Sequence, residues 1–128
     1  MLIVEDELIV AKNLREQLQD LYYRVTGAAA SGESALAMVA NDPPDVVLMD
    51  IRLAGAMSGV AAARHIWERW QIPVVFITAH ADRDTLAEVK TTESYGYIVK
   101  PFNAERVDAG IQLALDRRKK EWCQAHPL

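Results

Sequence analysis

The chain alternates between short apolar runs rich in β-branched residues and longer stretches of mixed polarity. Five short runs predict strands, at residues 2–4, 24–29, 45–49, 73–78 and 95–99. The third and fourth runs are apolar almost throughout, which is typical of strands covered on both faces of a parallel sheet. We therefore expect a buried parallel sheet.

The stretches between the runs have the periodicity of amphipathic helices. In the first, one apolar stripe is formed by Val10, Leu14, Leu18 and Leu21. The other helices are predicted to start at Ser31 or Gly32, near Ser58, near Asp82 and near Asn103. Because strand and helix alternate five times with short connections, we predict an α/β three-layer sandwich with a five-stranded parallel sheet and five helices.

Two of the predicted helices carry features that need interpretation. Glu33 falls in the first turn of the second helix, where an acid suits the helix dipole. In the third helix Val60, Ala63, Trp67 and Trp70 share one side. We interpret the two tryptophans as core and rim packing, and not as a stacking platform for bases.

Composition narrows the class of protein. The 128 residues suit one domain with a real core, and no apolar run approaches the ~20 residues of a spanning helix. The chain opens without the basic region of a signal peptide, and its single cysteine, Cys123, cannot form an intramolecular disulfide. These features favour the cytosol.

The charge balance disfavours binding to nucleic acid. The formal net charge is −4, and a nucleic-acid binder would usually be basic. The one basic cluster, residues 117–120, is interpreted as a solvated helix end whose cations suit the C-terminal dipole.

Polar side chains follow four of the predicted strands at their carboxyl ends, which is where parallel sheets carry their chemistry. These side chains are Glu5, Asp6, Asp50, Thr78 and Lys100. Taken alone, each has a simpler explanation as a cap, a turn residue or an acid serving a helix dipole. Their placement at the same end of successive strands favours a shared site.

The residue types of this set indicate a chemistry. Glu5, Asp6 and Asp50 would repel one another without a cation, and Mg²⁺ suits such ligands because it binds a few carboxylates and keeps waters that a phosphate can replace. Lys100 adds a positive charge and Thr78 a hydroxyl donor. A carboxylate nucleophile, a metal, an ammonium and a hydroxyl together suit phosphoryl transfer.

With these residues in place, the sequence resembles the receiver domains of two-component response regulators over nearly the whole chain. The matching segments are LIVEDE at 2–7, VVLMD at 46–50, PVVFITA at 73–79 and GYIVKPF at 96–102. The resemblance implies a flavodoxin-like sheet with strand order 2-1-3-4-5. It also implies a signalling switch that accepts a phosphoryl group from a histidine kinase, and that is a regulator assisting its own phosphotransfer and dephosphorylation, not an enzyme.

The resemblance carries roles to individual positions. Asp50 matches the phosphoacceptor. Asp6, Asp50 and the backbone carbonyl of Arg52 match the protein ligands of Mg²⁺, with Glu5 acting through a water. Lys100 matches the lysine that contacts the phosphoryl group.

The resemblance also implies a switch. Thr78 matches the hydroxyl that moves to the phosphoryl group, and Tyr97 the ring that then changes rotamer, altering the surface of the fourth helix, fifth strand and fifth helix. Ala79 is small enough to admit a phosphate. For Tyr97 the alternative is a half-buried strand tyrosine without a switching role. His80 is either a modulator of phosphoryl lifetime or an exposed loop histidine.

One segment departs from the family pattern. Residues 51–59 contain no proline and look slightly longer than usual, with Gly59 in the glycine position before the third helix. The departure affects the expected metal geometry at Arg52 but not the identity of Asp50.

Three other functions are compatible with parts of this sequence. A flavodoxin-type nucleotide binder would need a phosphate-cradling loop where the chain has Glu5 and Asp6, which would repel a phosphate. An aspartate-nucleophile phosphohydrolase usually has a second aspartate where the chain has Arg52. A degenerate receiver, acting only as an interaction module, stays open.

We predict a receiver domain over residues 1–121, with 122–128 as a tail or the start of a linker. A receiver excised from a larger multi-domain sensor or regulator is favoured over a stand-alone regulator. The expected partner is a sensor histidine kinase or a phosphotransfer protein, with a homodimer through the switch surface as one arrangement, and without direct contact to nucleic acid or membrane.

Overall fold

The computed structural model describes residues 1–53, 55–79, 96–100 and 102–125. Strands and helices alternate along these residues. They are β1 (Leu2–Val4), α1 (Leu8–Asp20), β2 (Gly27–Ala29), α2 (Gly32–Asn41), β3 (Val47–Asp50), α3 (Gly59–Trp70), β4 (Val74–Ala79), β5 (Gly96–Lys100) and α4 (Ala104–Ala125). The helix predicted near Asp82 lies outside the described residues, so α4 is the helix that the sequence predicts as the fifth.

The five strands form one parallel sheet in the order β2-β1-β3-β4-β5. The register places Val4, the last residue of β1, beside Met49 of β3, and Asp50 beside Ile77 of β4. All carboxyl ends therefore meet at one edge of the sheet. The strand order and direction confirm the predicted flavodoxin-like fold.

The second strand is shorter than the sequence predicts, because residues 24–26 lie outside it. Among the strands of the described residues, β2 lies at one edge of the sheet beside β1, and β1 has three residues. A ladder can be no longer than its shorter member, so pairing is limited to Gly27–Ala29.

Apolar side chains fill two cores, one on each face of the sheet. Alternate strand residues point to opposite faces, so Val4, Met49 and Phe76 join the core under α2 and α3, while Ile3 and Leu48 join the core under α1 and α4. The three layers that the alternation predicts are thereby confirmed.

The buried stripe of α1 differs in part from the prediction. Leu14 and Leu18 are buried as expected, and Ala11 joins them. Val10 and Leu21 are only half-buried. The buried stripe of α1 therefore begins at Ala11 instead of Val10, although both positions lie on the same face as Leu14 and Leu18.

Short polar side chains fix the starts of three helices. Ser31 Oγ accepts a hydrogen bond from Ser34 N at 3.2 Å, and Ser58 Oγ accepts one from Ala61 N at 3.1 Å. Asn103 Oδ1 does the same for the amide of the third residue of α4 at 2.9 Å. These are N-cap interactions that satisfy otherwise unpaired first-turn amides, and they lie at the predicted helix starts.

The packing of α3 follows the prediction. Val60 and Ala63 are buried, and Trp67 and Trp70 are half-buried against the two cores. Both tryptophans therefore serve packing at the core and its rim.

The last helix continues to Ala125, beyond the predicted domain end at residue 121. The division into a receiver domain and a tail stays a prediction. Within the described ranges, no helix combines the length and apolar character needed to cross a membrane.

Candidate functional site

The carboxyl ends of β1, β3 and β5 bring three charged side chains together. Glu5 and Asp50 are buried, with 2% and 8% of their surfaces exposed, and Lys100 reaches both of them. The Glu5 amide donates to Ala29 O at 2.9 Å, extending the β1–β2 pairing by one residue. The backbone thus holds Glu5 at the sheet edge and turns its side chain into the site.

The carboxylate of Asp50, which the sequence predicts as the acceptor, is held by two donors. Its Oδ1 accepts a hydrogen bond from the backbone amide of Arg52 at 3.1 Å. Its Oδ2 accepts one from Lys100 Nζ at 3.2 Å. A carboxylate fixed at both oxygens has little rotational freedom, which favours attack in one direction.

Glu5 is less fully satisfied than Asp50. Its Oε1 accepts a hydrogen bond from Glu7 N at 3.2 Å, whereas its buried Oε2 accepts none from the described residues and lies 3.5 Å from Lys100 Nζ. Burial, and then the neighbouring Asp50, raise the pKa of Glu5 from 4.5 to about 8. Without a cation beyond Lys100, this carboxyl holds its proton at neutral pH.

The same surroundings that favour the neutral form of Glu5 favour the charged form of Lys100. Burial lowers the pKa of its ammonium, but the negative charge of Asp50 and then that of Glu5 outweigh burial, so the pKa is raised overall. Lys100 therefore carries its positive charge throughout the physiological range.

Three carboxylates form a potential cation site beside this lysine. One oxygen from each of Glu5, Asp6 and Asp50 lies within 4.8 Å of the others, with Asp6 exposed to solvent. Hard oxygen donors with one open side suit Mg²⁺, and the unsatisfied Oε2 of Glu5 is the kind of buried acceptor that a metal-bound water would satisfy. The residues present therefore fit the metal that the sequence predicts.

The two predicted switch residues share one face of the sheet. Thr78 is buried, with 1% of its surface exposed. In the register of β4 and β5, Phe76 lies beside Tyr97 and Thr78 lies beside Val99. Because Phe76 and Thr78 are two residues apart on β4, they point to the same face, so Thr78 and Tyr97 both lie on the face of the core under α2 and α3. Tyr97 is 46% exposed, which fits both a switching ring and the alternative of a half-buried strand tyrosine, so its role stays a prediction.

The loop that follows β3 ends close to Asp50, at Gly59. Gly59 N donates to Ile51 O at 3.1 Å, and a Cβ at Gly59 would lie 2.3 Å from the carbonyl oxygen of Asp50. A side chain cannot be accommodated there, which explains the glycine at this position. Arg52 is exposed, and its backbone amide donates to Asp50 Oδ1.

Two predicted positions have no structural description. His80 lies outside the described residues, as does the side chain of Ala79. Their suggested roles stay predictions.

One contact at this edge was missed by sequence reasoning. Glu33, interpreted from the sequence only as a first-turn acid, accepts a hydrogen bond from Met57 N at 3.1 Å across 24 residues of chain. No local motif signals such a contact, because it depends on how the loop folds back over α2.

Comparison with known proteins identifies the family. The chain belongs to the response regulator receiver domain family, whose model matches residues 1–112. The chain is 32% identical over 117 residues to the transcriptional regulatory protein PdtaR of Mycobacterium tuberculosis, covering 91% of this chain and 57% of PdtaR. It is 33% identical to the regulatory protein AtoC of Escherichia coli, covering 98% of this chain and 28% of AtoC.

Solved structures give the same result. A signal receiver domain of a modulated diguanylate cyclase from Desulfovibrio desulfuricans superposes with a TM-score of 0.87 at 37% identity, covering 94% of this chain and 95% of that one. The N-terminal domain of a response regulator/sensory box/GGDEF protein from Carboxydothermus hydrogenoformans gives 0.84 at 33% identity, with 94% and 96% covered. The chain matches receiver domains nearly end to end but spans little more than half of PdtaR, at 57%.

Proposed function

We propose that this domain is a phosphorylation-dependent switch in which Asp50 accepts a phosphoryl group from a histidine kinase or a phosphotransfer protein. The observation that carries the proposal is the fixing of the Asp50 carboxylate by the Arg52 amide at 3.1 Å and by Lys100 at 3.2 Å, beside two further carboxylates. A receiver fold without a working acceptor has no need of this arrangement.

The chemistry of this chain's own residues is positioning and charge compensation. A carboxylate oxygen of Asp50 attacks the phosphorus, the bond from phosphorus to the donor's leaving group breaks, and the leaving group departs with the electron pair. Lys100 compensates negative charge on the transferring group, because it already contacts the acceptor. Such transfer depends mainly on alignment and electrostatics.

Asp6, Asp50 and the carbonyl of Arg52 would hold Mg²⁺ directly, with Glu5 acting through a water. A bound ion would supply positive charge to these carboxylates and to an incoming phosphoryl group. Support comes from the three carboxylate oxygens, one each from Glu5, Asp6 and Asp50, that lie within 4.8 Å of one another.

The switch would run from Asp50 through Thr78 to Tyr97. A phosphoryl group adds about −1.5 to −2 charge and strong acceptor oxygens, which attract the Thr78 hydroxyl and leave room for the Tyr97 ring to turn inward. The surface of the predicted fourth helix, β5 and α4 would change, and a homodimer could form there. Because the chain covers only part of its relatives, we place this switch within a larger multi-domain regulator or sensor.

The test is Mg²⁺-dependent modification of the intact domain. Wild-type protein is incubated with acetyl phosphate, or with beryllofluoride, with and without Mg²⁺, and compared with Asp50→Ala and Asp50→Asn. Asn retains an oxygen that can accept from the Arg52 amide, so it controls for loss of structure. A phosphoryl mass increase that needs Mg²⁺ and disappears in both variants supports the proposal. Folded wild-type protein that shows neither a mass increase with acetyl phosphate nor a spectral change of its tryptophans or tyrosines with beryllofluoride would instead support a degenerate receiver that acts only as an interaction module.

A further inference from the structure

The loop that follows Asp50 is fastened to the second helix by Glu33. Glu33 Oε1 accepts a hydrogen bond from Met57 N at 3.1 Å, and Gly55 lies so close that an added Cβ would be 3.3 Å from Glu33 Oε2. The Met57 side chain covers Gly32, where an added Cβ would lie 3.1 Å from Met57 Cγ and Sδ. The first turn of α2 therefore holds the far part of the loop.

The near part of the loop is held by the acceptor itself. Arg52 N donates to Asp50 Oδ1 at 3.1 Å, and Gly59 N donates to Ile51 O at 3.1 Å. In the chain, the carbonyl of Arg52 follows this anchor and precedes the Met57 anchor. A backbone segment held at two points has few remaining conformations.

We propose that Glu33 is a positioning residue for the Mg²⁺ site, acting through the Met57 amide on the loop that presents the Arg52 carbonyl. This inference rests on the proposed function, since it assumes that the carbonyl is a metal ligand. Glu33 does not contact the ion. By holding the Met57 amide, it would reduce the free energy needed to order the loop when the Arg52 carbonyl binds the ion.

Glu33 could also matter only as an acid at a helix N-terminus. It lies in the first turn of α2, where a negative charge stabilises the helix. The two roles separate on substitution. Gln keeps an oxygen that can accept from Met57 N but has no charge, whereas Ala removes both the acceptor and the charge.

The experiment compares wild type, Glu33→Ala, Glu33→Gln and a control, Glu68→Ala, which removes an exposed carboxylate from α3. Mg²⁺ binding is measured by calorimetry without a phosphodonor, and the Met57 amide is followed by NMR. The limiting rate of phosphorylation by acetyl phosphate at saturating Mg²⁺ is measured separately. Thermal unfolding of the metal-free proteins reports on general stability.

We expect Glu33→Ala to weaken Mg²⁺ binding about fivefold, the factor that corresponds to one hydrogen bond of ordinary net strength. The limiting rate at saturating Mg²⁺ should change less than about twofold, because the acceptor and Lys100 are untouched. The Met57 amide signal should move upfield in the Ala variant and return toward its wild-type position in the Gln variant. Glu33→Gln should bind Mg²⁺ within about twofold of wild type.

Two results would overturn the inference while leaving the proposed function in place. One is unchanged Mg²⁺ binding in Glu33→Ala, even if its unfolding temperature falls. The other is equal weakening in the Ala and Gln variants, which would assign the effect to charge. If Glu33→Ala does not fold, Gly55→Ala replaces it, because Gly55 has φ +97° and faces Glu33; unchanged Mg²⁺ binding in that variant refutes the inference. Wild-type protein that neither binds Mg²⁺ nor becomes phosphorylated would refute the proposed function and this inference with it.

Discussion

Replacing Glu5 by Gln should stabilise the metal-free domain, and increasingly so as the pH rises. Glu5 is buried beside Asp50, and its pKa is raised from 4.5 to about 8. The folded state therefore binds a proton that the unfolded state has released, so the stability that this proton supports is present below pH 4.5 and is lost as the pH rises through 8. Gln resembles the protonated form and does not titrate, and its side-chain oxygen can still accept from the Glu7 amide.

The size of the effect follows from the pKa. Each tenfold change in proton affinity corresponds to about 1.4 kcal/mol, so the displacement from 4.5 to about 8 sets an upper bound of about 5 kcal/mol. The attraction of Lys100 for the ionised carboxylate is already contained in this pKa, and relaxation of the site around the charge makes the actual cost smaller than the bound. We expect the variant to be more stable than wild type by about 2–3 kcal/mol near pH 9, and by much less near pH 4.

The assay is urea unfolding from pH 4 to pH 9 in the presence of a chelator, with Glu7→Gln as the matched control at an exposed neighbouring position. Saturating Mg²⁺ should shrink the difference at pH 8, because a divalent cation stabilises the ionised form of Glu5. A difference between Glu5→Gln and wild type that does not depend on pH would refute the reasoning. So would a wild type that gains stability relative to the variant as the pH rises.

Three further predictions concern other parts of the molecule. Lys100→Met should slow phosphorylation by acetyl phosphate about a hundredfold, measured by intact mass, because one fixed donor to the reacting group is lost. Gly59→Ala should lower the free energy of unfolding by about 2 kcal/mol or more, since its Cβ would lie 2.3 Å from a backbone carbonyl oxygen. Gly110→Ala should lower it less, because the nearest atoms to its Cβ are side-chain atoms of Ile98 at 3.2 Å and of Val75 at 3.9 Å. Tyr23→Phe should cost about 1 kcal/mol at pH 7, because the Tyr23 hydroxyl donates to Asp108 Oδ1 at 2.5 Å; burial and this hydrogen bond raise the Tyr23 pKa, so the difference should persist through pH 10 and vanish at higher pH.

Each of these predictions has a control or a contradicting result. For Lys100→Met the control is Lys120→Met at an exposed site on α4, and equal rates in the two variants would contradict the role given to Lys100. Equal urea midpoints for the two glycine variants would contradict the close approach at Gly59. A Tyr23→Phe difference that grows above pH 10 would mean that the hydroxyl is not held as a donor.

The sequence could predict those parts of the site that a single local rule determines. Asp50 and Lys100 each end a strand, and parallel strands end at the same edge, so their meeting followed from order alone. The pKa of Glu5 did not follow, because it depends on how deeply the side chain is buried and on which oxygen of Asp50 faces it. The contact from Glu33 to Met57 depends on the path of a loop, and no periodicity describes a loop.

The fold showed the same division between local and long-range information. Ser31 and Ser58 marked helix starts because an N-cap is a local interaction. The length of β2 did not follow from its own residues, since an edge strand extends only as far as its neighbour. The sequence prediction placed Val10 and not Ala11 in the buried stripe of α1, because an alanine contributes little to an apolar pattern even where it is buried.

The missing side chain at Gly59 also determines how closely α3 approaches the end of β3. The start of α3 lies against the carbonyl oxygen of Asp50, where an added Cβ would come within 2.3 Å, and Gly59 N donates to Ile51 O. On the other side of β3, Asp50 pairs in register with Ile77 of β4. A displacement of Asp50 would therefore be passed both to α3 and to β4, and the contact with α3 exists because one methyl group is absent.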